Sequence, residues 1–394
     1  MKILHCVENY FPSKGGMQEV VKQLSERLCA MGHEVSVVTR TNQNRSLTEL
    51  NGVKIFSFNV NGNFAGGMTG EIEEYRKFLL SFDGDIITFF AAQQFTTDVA
   101  LDILPSIRAK KVSVPTGYSG FYDEHYRTYY QKMQNWIHQY DMNVYLSDDY
   151  RDINFARKCG VKKLLLIPNG ADEQEFNKLS EIDVRQKFNI PADYTLILHV
   201  GSYTGRKGHL EALEIFFSSK LNKTCLLMIG DHVDYFKRRS VFKFPDILLK
   251  WISSKFSDKR IVMTEADRET TIAAYQQSDV FFFPSQIECS PIVLFEASAA
   301  GLPFLTSSAG NAPEIISWTN GGLLLQGHKD HLGNWHPNVK DCALQLKNLI
   351  SNHELRSELA KKGKQAWASG FTWQNIARQY EQMYKSLIQS DGCS

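Results

Sequence analysis

Two acidic and two basic residues carry the chemistry that can be read directly from this sequence. Glu288 and Glu296, with seven residues between them, lie in the stretch PSQIECSPIVLFEASAAGLP. Arg206 and Lys207 lie in SYTGRKG, directly after the apolar run TLILHVG. Carboxylates accept hydrogen bonds from hydroxyl groups, whereas cations beside glycine amides grip phosphate. Together they suit a ligand that bears both hydroxyls and phosphate. Taken singly, each has a plainer reading: a solvated loop glutamate, a wet helix face, two cations decorating a loop.

The elements that must position these groups follow from the same stretches. The run VFFF at 280–283 is a buried strand that stops at Pro284. Ser290 is placed as an N-cap, with Pro291 as first helical residue. The helix continues through VLFEASAA to Gly301, and PFLT is the next strand. A helix this apolar is buried nearly all round, so Glu296 needs partners there, and sugar or ribose hydroxyls would serve. The helix N-terminus, with unpaired amides and partial positive charge, attracts phosphate. TLILHVG, SYTGRKG and HLEALEIFF repeat the order of strand, loop and helix.

Glu288 and Glu296 in their setting resemble the E-x7-E signature of retaining glycosyltransferases of the GT-B fold, specifically glycosyltransferase family 4. The downstream AGNAPEII resembles that family's glycine-containing loop and following Glu. The resemblance implies an α/β protein of two doubly wound, Rossmann-like domains facing a cleft. It implies transfer of a sugar from a nucleotide diphosphate sugar, a UDP-sugar in preference to a GDP-sugar, with retained configuration. The acceptor would be a hydroxyl of a glycan or lipid-linked glycan, in surface polysaccharide or lipopolysaccharide biosynthesis. Catalysis would be metal-independent and use no cofactor, in the cytoplasm or peripherally on the cytoplasmic face of the membrane.

Site residues follow from that resemblance position by position. Glu288, Lys207 and Arg206 are the expected catalytic groups, Glu288 holding donor-sugar hydroxyls and the two cations the diphosphate. Gly15, Gly16, Gly201, Ser202, Ser290, Pro291, Ile292 and Glu296 are expected to bind the donor, Glu296 through ribose hydroxyls. Ser202 stands where the family usually places an Arg, and Arg206 would supply that charge. Thr116-Gly117 stands where the family often carries His-Gly, and is expected to touch the acceptor or the donor sugar. Asn169, Gly170 and Asp172 match the family's Pro-Asn-Gly-x-Asp turn at the hinge. Two rival functions remain: a nucleotide-sugar epimerase of the same architecture, and a non-catalytic scaffold that retains the fold.

Composition bounds the rest. The 44 Lys plus Arg nearly equal the 43 Asp plus Glu, so no bulk basic field points to nucleic acid. Length of 394 residues suggests two domains. Residues 1–178 form the expected acceptor-side domain, 179–193 a linker and 194–370 the nucleotide-sugar domain; 371–394 form a helix crossing back to the first. No apolar run approaches the ~18 residues of a membrane span. MKILHCVENYF reads as a first strand and not as a signal peptide. Seven scattered cysteines lack metal-type spacing and fit reduced thiols. His328, His331 and His336 match no ligand pattern, so QGHKDHLGNWHPN reads as a solvated loop, and NGNFAGG as a flexible loop on the acceptor side. Residues 121–140, rich in Tyr and Trp, are core packing with a wet face or an aromatic acceptor surface. The basic, aromatic residues 236–260 are a solvated face or a membrane-docking one.

Overall fold

The computed structural model describes residues 1–13, 15–234 and 258–389. The chain divides between Asn169 and Gly170. The first unit holds residues 1–169 and 373–394, the second Gly170–Thr372.

In the first unit, β1 (Lys2–Cys6), β2 (Glu34–Arg40), β3 (Glu49–Leu50) and β4 (Val53–Phe58) precede the hairpin β5 (Val60–Asn63) and β6 (Gly67–Gly70). Then come β7 (Ile86–Phe90), β8 (Lys110–Val114), β9 (Met142–Tyr145) and β10 (Leu164–Leu166). Eight of these form one sheet in the order β10-β9-β8-β7-β1-β2-β4-β3, parallel except at β3. The order reverses between β1 and β7, where the loops leaving their carboxyl ends diverge. Such a switch point is where open α/β sheets bind ligands. Helix Gly16–Ala30 follows β1 and turns Val20, Val21, Leu24 and Leu28 inward.

The C-terminal helix Trp373–Gln389 belongs to this first unit and packs on helix Gly16–Ala30. Buried Tyr384 shares hydrogen bonds with Thr88 Oγ1 (2.6 Å) and His5 Nε2 (3.3 Å), and His5 Nδ1 meets Ser25 Oγ at 2.8 Å. Burial lowers the His5 imidazole to about 3, so it packs as a neutral ring.

The second unit holds β11 (Thr195–Val200), β12 (Thr224–Ile229), β13 (Lys259–Thr264), β14 (Val280–Phe283), β15 (Phe304–Thr306) and β16 (Gly322–Leu324). Their order, β13-β12-β11-β14-β15-β16, is parallel throughout and reverses between β11 and β14. Apolar clusters cover both faces: Leu196, Leu198, Phe281 and Phe283 point to one, Ile197, Val280, Phe282 and Leu305 to the other. That two-sided burial explains why these strands read as unbroken apolar runs.

Three expectations change, and one of the two readings of residues 121–140, core packing, is met. Residues 179–193 are not a free linker: Val184 and Ile190 are buried in the second unit's core, and Val184 N–H donates to Gln277 Oε1 (3.0 Å). Polar surface residues disguised that packing. NGNFAGG is part of the β5–β6 hairpin, held by the Phe64 N–H on Asp98 Oδ2 (2.9 Å) and by Asn63 Nδ2 on the Tyr126 hydroxyl (3.0 Å). QGHKDHLGNWHPN also forms a hairpin, β17 (Gly327–Lys329) with β18 (Trp335–Pro337), because Trp335 is fully buried. Within residues 121–140, Tyr129, Tyr130, Met133, Trp136, Ile137 and Tyr140 are core. Most of 236–260 lies outside the described residues. No helix among the described residues is long and apolar enough to cross a membrane.

Candidate functional site

The second unit's switch point is built from the loops that leave β11 and β14. Gly201–Gly208 connects β11 to helix His209–Ser218, and 284–291 connects β14 to helix Ile292–Ala300. The Gln286 N–H donates to the Arg206 carbonyl at 3.0 Å, and Ser285 Oγ lies 3.2 Å from the same oxygen. Gly310, at φ +58°, lies where a Cβ would meet the Cys289 carbonyl at 2.5 Å, so a third loop packs on the same backbone.

Lys207 and Glu288 meet at this junction. The Lys207 ammonium donates to both Glu288 oxygens, at 2.8 and 2.9 Å, and Ser285 Oγ donates to Glu288 Oε1 at 2.7 Å. The spacing of 81 positions between cation and carboxylate in sequence is closed by the parallel pairing of β11 with β14. Arg206 is exposed, and among the described residues its guanidinium has no ion pair. Gly201 packs on the Lys207 stem, with a notional Cβ 3.2 Å from Lys207 Cβ; Ser202 accepts from the Thr204 N–H through its carbonyl.

The helix start differs by one residue from its expected place. Pro291 is extended (ψ 111°) and is the N-cap, so Ile292 is the first helical residue and no side chain caps the helix. Ser290 Oγ accepts instead from Asn311 Nδ2 at 3.2 Å. Gly301, at φ +67°, ends the helix where the sequence indicated.

Glu296 is buried as expected, but its partner is a protein cation. Arg268 Nη1 lies 2.7 Å from Glu296 Oε1, and Arg268 Nε reaches Glu175 at 3.0 Å. The two carboxylates hold the Arg268 guanidinium above its ordinary range despite the opposing effect of burial. Arg268 opens helix Arg268–Gln277. Its partners are remote in sequence, so no local pattern revealed it.

Two buried histidines beneath the Lys207 loop also escaped sequence reading. His199 Nδ1 donates to the Phe282 carbonyl (2.9 Å) and His209 Nε2 to the Gly201 carbonyl (3.0 Å). Their ring centroids are 4.5 Å apart, and Tyr203 stacks on His209 at 4.1 Å. Burial pushes His199 down to about 4 and holds His209 well below its ordinary value, with the Lys207 charge acting in the same direction on both. A neutral pair thus braces the loop. An isolated His inside TLILHVG was the available signal.

The other named residues lie in the first unit. Gly15 and Gly16 are exposed at the start of helix Gly16–Ala30, after β1 at that unit's own switch point. Thr116, Gly117 and Tyr118 follow β8 with φ of +57°, +101° and +49°. Ala91 and Gln93, after β7, also have positive φ. Non-glycine residues rarely adopt this conformation, and it concentrates at functional sites. Buried Asp152 accepts the Gly117 N–H at 2.8 Å, and burial raises its carboxyl to about 6. Gln93 Oε1 accepts from Ser119 Oγ and the Gly120 N–H, both at 3.1 Å. His125 is exposed on the following segment.

Comparisons with known proteins bear on both units. Residues 180–366 match the model described as glycosyl transferases group 1, and residues 14–175 that described as Glycosyltransferase Family 4. An uncharacterized glycosyltransferase of Methanocaldococcus jannaschii is 24% identical over 420 residues, 100% of each chain. The lipopolysaccharide 1,2-N-acetylglucosaminetransferase of Salmonella typhimurium is 21% identical over 252 residues, 62% of each chain. Anabaena HepE, crystallised in complex with UDP and glucose, superposes with a TM-score of 0.74 at 16% identity. That likeness covers 98% of this chain and 100% of HepE. The two switch-pointed sheets have the GT-B architecture.

Proposed function

We propose a specific reaction from the premise that the chain belongs to the group 1 glycosyltransferases, with a first unit of the family 4 type, and therefore transfers sugars. The donor is a nucleotide diphosphate sugar, a UDP-sugar in preference to a GDP-sugar. The acceptor is a hydroxyl of a glycan or lipid-linked glycan in surface polysaccharide or lipopolysaccharide assembly, reached in the cytoplasm or at the membrane's cytoplasmic face. The observation that carries this reading is Lys207 set against Glu288 at a sheet switch point. A cation for diphosphate and a carboxylate for sugar hydroxyls are within one side-chain length of each other.

In this mechanism the bond from the anomeric carbon to the diphosphate oxygen breaks as the acceptor oxygen bonds to that carbon. The electron pair goes to the diphosphate, and the acceptor proton passes to the departing phosphate oxygen on the same face, so configuration is retained. Lys207, Arg206 and the amides opening helix Ile292–Ala300 stabilise the growing negative charge, the largest contribution expected. These cations allow turnover without a metal or organic cofactor. Glu288 orients the sugar. Arg268, held also by Glu175, pairs with Glu296, the carboxylate assigned to the ribose hydroxyls.

Thermal unfolding with millimolar UDP, GDP, ADP, CMP and dTDP, in chelator, tests the donor class. A nucleotide at about 100 times its dissociation constant adds about 2.7 kcal/mol, a shift of a few degrees. A selective shift identifies the base. Folded protein that responds to none of them, and to neither UDP-glucose nor GDP-mannose, contradicts the reading. Glu288→Ala then separates transferase from scaffold, because only an enzyme loses turnover by orders of magnitude while staying folded.

A further inference from the structure

Lys207 and Glu288 are each other's ion-pair partner, and that pairing has consequences for what the site binds and releases. Both ammonium–carboxylate contacts are short, at 2.8 and 2.9 Å, and the Glu288 side chain is only 8% exposed while Lys207 is 35% exposed. Glu288 has one further donor among the described residues, Ser285 Oγ. Lys207 is the movable partner: its four-carbon stem is flexible and faces the solvent side. Glu288 is the fixed one.

We propose that Glu288 makes Lys207 available to a diphosphate only when a sugar is attached, so that the site discriminates intact donor from the bare nucleoside diphosphate. This rests on the nucleotide-sugar reading above. A bare diphosphate that draws Lys207 away strands Glu288 as a buried carboxylate with a single hydroxyl donor, which is unfavourable. An intact donor supplies sugar hydroxyls, and these O–H donors fill the carboxylate positions that the ammonium vacates. Lys207 then turns to the diphosphate without leaving an orphaned charge. After transfer the sugar departs with the acceptor, Lys207 returns to Glu288, and the diphosphate loses its strongest ligand. Product release is built into the same ion pair that binds the donor.

Calorimetric titration of wild type, Glu288→Gln and Glu288→Ala with UDP, UDP-glucose, GDP and GDP-mannose tests this, alongside the unfolding midpoint of each unligated protein. In wild type the sugar nucleotide of the responding base binds more tightly than its diphosphate. Both variants free Lys207, so the diphosphate should bind about fivefold or more tighter, while the sugar nucleotide binds no better or more weakly. Loss of a merely structural contact would weaken both ligands together. Variants that are folded and bind the diphosphate no better than wild type overturn the discrimination but leave sugar transfer standing. Wild type that binds none of the four ligands overturns this inference together with the donor reading.

Discussion

Gly208 lies against the Pro284 carbonyl so closely that a Cβ at position 208 would meet its oxygen at 2.1 Å. The contact locks the loop after β11 to the loop after β14, and so fixes Lys207 relative to Glu288. Gly208 also has φ +79°, and it is the N-cap of helix His209–Ser218. Gly205 has φ +84° but open space around it. Gly205→Ala should therefore cost only the left-handed strain, about 1 kcal/mol in urea unfolding. Gly208→Ala adds the collision and should cost about 3 kcal/mol, with turnover falling further than stability. Equal costs would mean that the loop contact is slack.

Arg268 neutralises two carboxylates, one of them buried Glu296. Arg268→Leu leaves Glu296 without its cation; because the Arg268 side chain is 41% exposed and water screens part of the interaction, the variant should be destabilised by about 1–3 kcal/mol near neutral pH. Adding Glu296→Gln removes the stranded charge, so the double variant should recover much of that loss. Urea unfolding of the single and double variants reads the difference. Additive losses would show that the two residues do not act as a pair.

The site's principal pair was legible because strand, glycine and proline signals are local. Glu288 and Lys207 each follow an apolar run that must be a buried strand, and parallel strands send their following loops to one edge. Arg268 was not legible, since its partners Glu175 and Glu296 lie in other helices. Thr116 gave no hint of its positive φ, which tertiary contacts such as Asp152 with the Gly117 N–H impose on it. Val184 and Ile190 sit in a stretch whose other residues are polar, and only packing shows that they belong to a core. The two hairpins were masked by glycine, asparagine and histidine, which resemble a loop until one buried residue, such as Trp335, anchors them. The strand, loop and helix stretches were readable locally, and the doubly wound class came through the family resemblance; the strand order, the Arg268 ion pairs and the backbone strain were not readable.

Two buried groups, Asp98 and His199, should contribute to stability with opposite pH dependence. Asp98 lies beneath the β5–β6 hairpin, accepting from the Phe64 N–H and the Tyr129 hydroxyl, with Glu8 as the nearby like charge. Burial raises it from 3.8 to about 7. Between those values the folded state holds a proton that the unfolded chain has lost, so this contribution to stability falls as pH rises. His199 is lowered from 6.5 to about 4, with His209 and Lys207 beside it. There the unfolded chain binds the proton first, so stability falls as pH drops through that window. Asp98→Asn should flatten the loss of stability as pH rises towards 7 and His199→Phe the loss as pH falls towards 4, in unfolding midpoints measured from pH 4 to 8. Unchanged slopes would show that neither group titrates differently on folding.

Thr116 is β-branched and sits at φ +57°, a conformation that costs such a residue about 1–2 kcal/mol. The strain is held in place: Asp152 accepts the next residue's N–H, and Tyr118 beyond it is buried in the core. Thr116→Gly removes the penalty and should raise stability in urea by about 1 kcal/mol, whereas Thr116→Ala keeps a Cβ and most of the strain. If the threonine side chain touches the acceptor or the donor sugar, both variants lose turnover alike, and stability and activity change independently. A glycine variant that is no more stable than the alanine variant would remove the case for stored strain at this loop.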